Sequence, residues 1–110
     1  MSVGKTVSIP FYATVFRADQ LEEALQEIAP VSLRYGASNY TLFRSGDDRY
    51  RFQAYFQFDS KLDWERFWYG PEFNDWRGRH SSWYQVPTVY DMGAIVAQGE
   101  TEVEQDIHVA

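Results

Sequence analysis

The side chains of this chain that could do chemistry are concentrated between Trp64 and Tyr84. That stretch sets Trp64, Phe67, Trp68, Tyr69, Phe73, Trp76, Trp83 and Tyr84 around one histidine, His80. An imidazole changes charge near neutral pH and can act as general acid or base. Indole and phenol rings stack on flat ligands, and each carries one polar handle. If a helix resumes at Pro71, then Phe73, Trp76, His80 and Trp83 recur at helical spacing and share a face. The alternative ends that helix at Gly78 and leaves Arg79 and His80 in an exposed loop. On the first reading His80 is the candidate catalytic group. Tyr12, Tyr40, Trp68, Trp76 and Tyr84 are then the candidate substrate-binding aromatics, suited to a planar phenolic, quinol or polyketide-like molecule.

Other chemistries fit the residues less well. The 110-residue chain has no cysteine, which excludes disulfides, thiolate metal sites and a cysteine nucleophile. His80 and His108 stand alone, with no metal-ligand spacing, so no metal and no cofactor is expected. Ser81 and Ser82 follow His80 directly, but no G-x-S-x-G elbow surrounds them. The glycines Gly46, Gly70, Gly78 and Gly93 are isolated and cannot form a phosphate-cradling loop. Arg44, Arg49 and Arg51 cluster beside Asp47 and Asp48, which reads as a solvated set of ion pairs. A net charge of −6 argues against nucleic acid and anionic membranes as partners. The N-terminal stretch lacks a continuous apolar segment with a cleavage site, so the cytoplasm is the expected location.

Six elements must position the aromatic stretch. Thr6 to Phe16 alternates with the period of a strand, and Pro10 points to an edge or a bulge. Asp19, with Glu22 three residues later, reads as a capping box. It opens a helix whose buried stripe is Leu21, Ala24, Leu25, Ile28 and Ala29. Pro30 interrupts this helix and Gly36 stops it. Asn39 to Arg44 and Tyr50 to Phe58 read as a hairpin around Ser45-Gly46-Asp47-Asp48. Ser60 with Asp63 caps a second helix that Gly70-Pro71 breaks, and a gap beneath the break is the expected place for a ligand. Val86 to Ala97 reads as a fourth strand.

The order strand, helix, strand, strand, helix, strand is the ferredoxin-like βαββαβ plan of the α+β class. Its two helices cover one face of a four-stranded antiparallel sheet. Residues 1–98 form the single domain, and 99–110 an acidic C-terminal tail. The 20 aromatic residues exceed what a core of this size needs, and strands one and four carry apolar residues on both sides. The uncovered sheet face is therefore expected to pack against a second copy, giving a homodimer.

The element order, the length and the segment Leu62-Asp63-Trp64-Glu65-Arg66-Phe67-Trp68-Tyr69-Gly70-Pro71-Glu72-Phe73 resemble the dimeric α+β barrel superfamily. Within it, the antibiotic-biosynthesis-monooxygenase-like proteins are the most similar in character. The resemblance spans residues 5 to 98. It implies a homodimer whose sheets form a barrel, with a small-molecule pocket in each subunit between helices and sheet. Family members include cofactor-free oxygenases of quinols and anthrones, haem-degrading enzymes and proteins of unknown role. The haem-degrading branch places an Asn on the first strand and a Trp and a His on the second helix. Alignment on Phe73 brings Phe67 and Arg77 to the last two positions, and the first strand has no Asn, so that triad is not reproduced. Three readings stay open: a cofactor-independent monooxygenase, a non-catalytic binding or accessory homodimer with the same pocket, and a structural subunit whose aromatic surplus is all interface.

Overall fold

The computed structural model describes residues 5–101. Strand β1 (Lys5–Tyr12) is followed by helix α1 (Ala18–Ile28), a 3-10 segment (Ala29–Tyr35), strands β2 (Ala37–Arg44) and β3 (Arg51–Phe58), helices α2 (Lys61–Trp68) and α3 (Pro71–Arg79), and strand β4 (Asp91–Gly93). The antiparallel sheet has the order β2-β3-β1-β4, the ferredoxin-like arrangement expected from the pattern.

Alternation decides what each sheet face does. Strands β1 and β3 pair over their whole length, from Lys5 opposite Phe58 to Tyr12 opposite Arg51. The register places Val7, Ile9 and Phe11 on the same face as Phe52, Ala54, Phe56 and Phe58, and all seven are buried beneath the helices. Leu21, Ala24, Leu25 and Ile28 of α1 close one half of that core, and Trp64, Phe67, Phe73 and Trp76 of α2 and α3 close the other. The rings interlock: Phe67 stacks on Phe73 at 4.7 Å between centroids and meets Phe56 at 5.5 Å.

The helix ends follow their local chemistry, with one correction. Ser60 caps α2 by accepting the Asp63 N–H at 3.1 Å. Gly36 has φ of +104°, the left-handed conformation that glycine adopts without strain. Pro71 is the first residue of α3. The capping box expected at Asp19 and Glu22 does not form, because α1 starts at Ala18 and both carboxylates turn to Arg44 on β2, at 3.0 and 2.6 Å. A guanidinium on the neighbouring strand outcompetes a backbone N–H for an acidic side chain. Pro30 converts the end of α1 into the 3-10 segment, and α2 and α3 are the two halves of the broken second helix.

Two further expectations are corrected. The first strand ends at Tyr12, after which Ala13 forms one isolated bridge to Tyr84. The fourth strand is three residues long and does not run from Val86 to Ala97. Pro87 has no N–H for a ladder, and Tyr84 and Tyr90 turn inward to pack on the helices, so 85–90 crosses α2 and α3 as an irregular strap. With a short β4, the uncovered sheet face is less apolar than expected. It carries Ser8, Thr41, Gln53 and Gln57 between the exposed rings of Tyr12, Phe43 and Tyr55. Of the expected acidic tail, Gly99 to Thr101 are exposed and without regular structure; 102–110, with His108, lie outside the described residues.

Because Phe56 touches both Trp64 and Phe67, Phe56→Ala should lower the unfolding free energy by ~3–5 kcal/mol, as for other large-to-small core changes. Ser60→Ala should cost about 1 kcal/mol through the lost cap. Chemical denaturation measures both, and a Phe56→Ala variant as stable as the parent would reverse the assignment of the sheet faces.

Candidate functional site

The break between α2 and α3 leaves no gap, contrary to the sequence-based expectation. Gly70 is buried, and a Cβ there would lie 2.6 Å from the Arg66 carbonyl oxygen and 2.9 Å from the Tyr35 hydroxyl. The chain turns at Gly70 because only a residue without a side chain lets the 3-10 segment approach so closely. The Tyr35 hydroxyl then donates to Glu72 at 2.6 Å in the first turn of α3, clamping the two segments together.

What the turn produces is a continuous band of rings on the inner side of α3. His80 caps the C-terminal end of α3, which runs through Gly78 to Arg79. Its imidazole lies 4.4 Å from the Trp83 ring and 5.1 Å from Trp76. Trp76 stacks on Tyr84, at 5.9 Å with 14° between planes, and both meet Phe11 of β1 edge-on. Through Phe73 the band reaches Trp68, then Tyr90 and Trp64. The strap and the β1–α1 loop hold this arrangement, with Thr14 N–H donating to the Trp83 carbonyl and Gln85 N–H to the Tyr12 carbonyl.

The polar groups in the band are distinct from those of an ordinary core. Trp76 is satisfied, its indole N–H donating to the Ala24 carbonyl at 3.0 Å. His80 Nδ1 is buried without a partner. Burial, helped by the charge of Arg79 and opposed by that of Glu27, lowers the His80 pKa below its ordinary value near 6.5, so the neutral imidazole prevails at pH 7. Burial raises the Tyr84 phenol, while the Thr88 hydroxyl that donates to it and the charge of Arg77 act the other way. The Arg77 guanidinium lies over the Trp68 ring at 3.7 Å and donates through Nη2 to the Trp68 carbonyl at 2.8 Å. Among the described residues no carboxylate pairs with it, and burial pushes its pKa down.

Four of the six candidate residues lie on this band: His80, Trp68, Trp76 and Tyr84. Trp76 and Tyr84 are fully buried, His80 and Trp68 half-buried. Tyr40 is on the inner face but on edge strand β2, opposite Phe56 and two strands from β1. Tyr12 is on the opposite face of the sheet, where its hydroxyl donates to Asp48 at 2.7 Å and that bond raises its pKa. Sequence reasoning did not select Trp64, Arg77 or Tyr90. The signals available were the i, i+4 spacing of Trp64 and Trp68 and the place of Arg77 at the haem-branch histidine position. Buried Phe67 and the guanidinium of Arg77 offer iron no ligand at those positions. Among the described residues, no three His, Asp or Glu side chains gather where they could hold a metal ion, and no helix is long and apolar enough to cross a membrane.

No protein-family profile and no curated protein matches the sequence. Solved structures do match in shape. One is from Nitrosomonas europaea and is named for antibiotic biosynthesis monooxygenase: TM-score 0.78, 16% identity, over 87% of this chain and 93% of that one. Pseudomonas aeruginosa PA3566 gives 0.78 at 21% identity, over 88% and 98%. Mycobacterium tuberculosis Rv0793 gives 0.75 at 14% identity, over 88% and 99%. The likeness establishes the fold: this chain has the same α+β architecture as these proteins.

The lowered pKa of His80 has a definite sign in folding. Between the folded value and 6.5 the unfolded chain binds more protons at this site, so stability falls as pH is lowered through that window. The melting temperature should therefore drop between about pH 7.5 and 5.5, and His80→Gln should flatten that drop. An identical pH profile for the two proteins would place the imidazole in solvent.

Proposed function

We propose that this chain is a homodimeric, small-molecule-binding α+β barrel protein that acts as a cofactor-independent monooxygenase on a planar phenolic, quinol or polyketide-like substrate. The observation that carries the reading is His80: an imidazole held neutral by burial and set among Trp76, Trp83 and the Tyr84 stack. A neutral imidazole can accept a proton, and the surrounding rings supply the stacking surface and low dielectric that an aromatic substrate needs. The name of the Nitrosomonas protein supports the same reaction class.

In such a reaction the substrate supplies the electrons. A CH2 or CH=C(OH) unit flanked by aromatic rings loses a proton to the base, and its carbanion or enolate reduces O2. One oxygen atom ends as the new carbonyl and the other as water, so no external reductant is needed. The protein orients the ring, excludes water and removes the proton. His80 is the proposed base, with Trp68, Trp76 and Tyr84 as the stacking surface. Tyr12 and Tyr40 lie away from the band, so their proposed role in this site shifts to the subunit interface for Tyr12 and to the rim of the core for Tyr40. The exposed rings of Tyr12, Phe43 and Tyr55 are the contacts proposed for the second copy.

Oxygen uptake with anthrone and naphthoquinol substrates tests the activity, and His80→Gln should lower kcat by about 10²-fold or more while the fold is kept. Uptake that His80→Gln leaves unchanged removes the imidazole from the mechanism. Saturable quenching of Trp fluorescence by these ligands without any oxygen uptake would establish the binding or accessory homodimer in its place. Sedimentation should give a species of twice the 12.9 kDa chain mass at micromolar concentration.

A further inference from the structure

The other end of the aromatic band carries two hydrogen-bond donors with nowhere to go. Trp64 is fully buried, and its indole N–H has no acceptor. Arg77 Nη1 is likewise buried without a partner, although Nη2 of the same guanidinium is satisfied. Donors sealed from water and left unpaired are destabilising, and native cores carry few of them. These two flank one side chain: the Trp64 ring lies 5.4 Å from Trp68, and the Arg77 guanidinium lies over that same indole at 3.7 Å.

Tyr90 covers this place. Its ring sits edge-on to Trp64 and to Trp68, at 4.9 Å from each, nearer to Trp64 than any other ring. It belongs to the irregular strap, which pairs with the sheet only at the Ala13–Tyr84 bridge before it and at β4 after it. The other side of Tyr90 lines an open groove of about 410 Å³ shared with Lys5, Lys61 and Met92. The only carboxylate within ion-pair reach of Lys61 among the described residues is Glu65, at a long 3.9 Å, and the described residues pair none with Lys5.

We propose that Trp64, Trp68 and Arg77 form a binding site for a planar aromatic carboxylate, which enters from the Lys5–Lys61 groove by displacing Tyr90. The ring of the ligand replaces the Tyr90 ring against the two indoles. Its carboxylate takes up the unpaired N–H groups of Trp64 and Arg77, and charge-assisted bonds to a guanidinium are the stronger kind. The two lysines attract the anion to the groove and remain in solvent. This proposal rests on the reading of the aromatic band as a small-molecule site and specifies the charge of what it takes.

The test uses the full chain and two probes of the same shape, 2-naphthoate and its neutral amide, titrated by Trp fluorescence. Wild type should bind naphthoate saturably and about tenfold or more tighter than the amide. Tyr90→Ala should tighten naphthoate binding by ~3-fold or more, because the ligand no longer competes with the cover. Arg77→Met should bring the two probes within about 3-fold of each other by weakening naphthoate alone. Equal affinity of wild type for both probes overturns the proposal, as does a naphthoate preference that survives Arg77→Met. The absence of saturable quenching in both wild type and Tyr90→Ala also overturns it, and needs no Arg77 variant to fold. Oxygen uptake separates this proposal from the preceding one. A chain that oxidises anthrone but does not prefer naphthoate loses the anion site and keeps the oxygenase reading. A chain that prefers naphthoate and never consumes oxygen does the reverse.

Discussion

The antiparallel pairing of β1 with β3 is the interaction on which the rest of the structure depends. All eight residues of each strand are matched, Lys5 opposite Phe58 through Tyr12 opposite Arg51. Because side chains alternate faces, a slip of β1 by one residue against β3 would turn Val7, Ile9 and Phe11 into solvent and bring Thr6, Ser8 and Pro10 into the core. Every helix among the described residues finds its position against that one apolar face. On the opposite face the same register brings the Gln53 amide to donate to the Ser8 hydroxyl at 2.6 Å, a polar pair that would be unsatisfied in the slipped arrangement.

The helices are attached by a small number of polar anchors set in a mass of rings. Trp76 reaches across to the Ala24 carbonyl, fastening α3 to α1. Tyr35 fastens the 3-10 segment to Glu72, and the same bond lowers the Glu72 pKa while raising that of the phenol. Arg44 fastens β2 to the N-terminal half of α1 through Asp19 and Glu22. Rings tolerate many orientations at similar energy, whereas a hydrogen bond has a narrow geometry. The anchors therefore select one arrangement of an aromatic core that could pack in several. Three of the five buried polar groups without a partner among the described residues, Trp64 Nε1, Arg77 Nη1 and His80 Nδ1, lie on α2, α3 or the end of α3; the other two are Thr6 Oγ1 on β1 and Arg44 Nη2 on β2.

A ferredoxin-like sheet leaves one face for helices and the other for solvent or a partner, and function is built from whatever the helices and connections carry. Here the connection is the strap 85–90, held by a bridge at one end and a three-residue strand at the other. It has no ladder of its own to break, so moving it disturbs few backbone bonds.

How much was legible in the chain itself follows from the range of the forces involved. Alternation in Tyr50 to Phe58, the i, i+3, i+4 stripe of the first helix, the Ser60 cap, the left-handed Gly36 and the Pro71 helix start are local effects, set by neighbours within a few residues, and they specified the element order and hence the fold. The resemblance of the second-helix segment to a known superfamily carried the same information. Three things were not legible because they depend on residues far apart in sequence. Asp19 and Glu22 look like a cap until Arg44, 25 and 22 residues away, claims them. Val86 to Ala97 looks like a strand until Tyr84 and Tyr90 are drawn into the helix layer. Gly70-Pro71 looks like the mouth of a cleft until Tyr35 closes on it. The candidate site divides in the same way. The sequence by itself determined that rings and one imidazole would crowd the second helix. Only the tertiary structure decided that Tyr12 faces the other side of the sheet and that Trp64, Trp68 and Arg77 share one place, because burial and the pairing of donors are properties of the packed chain.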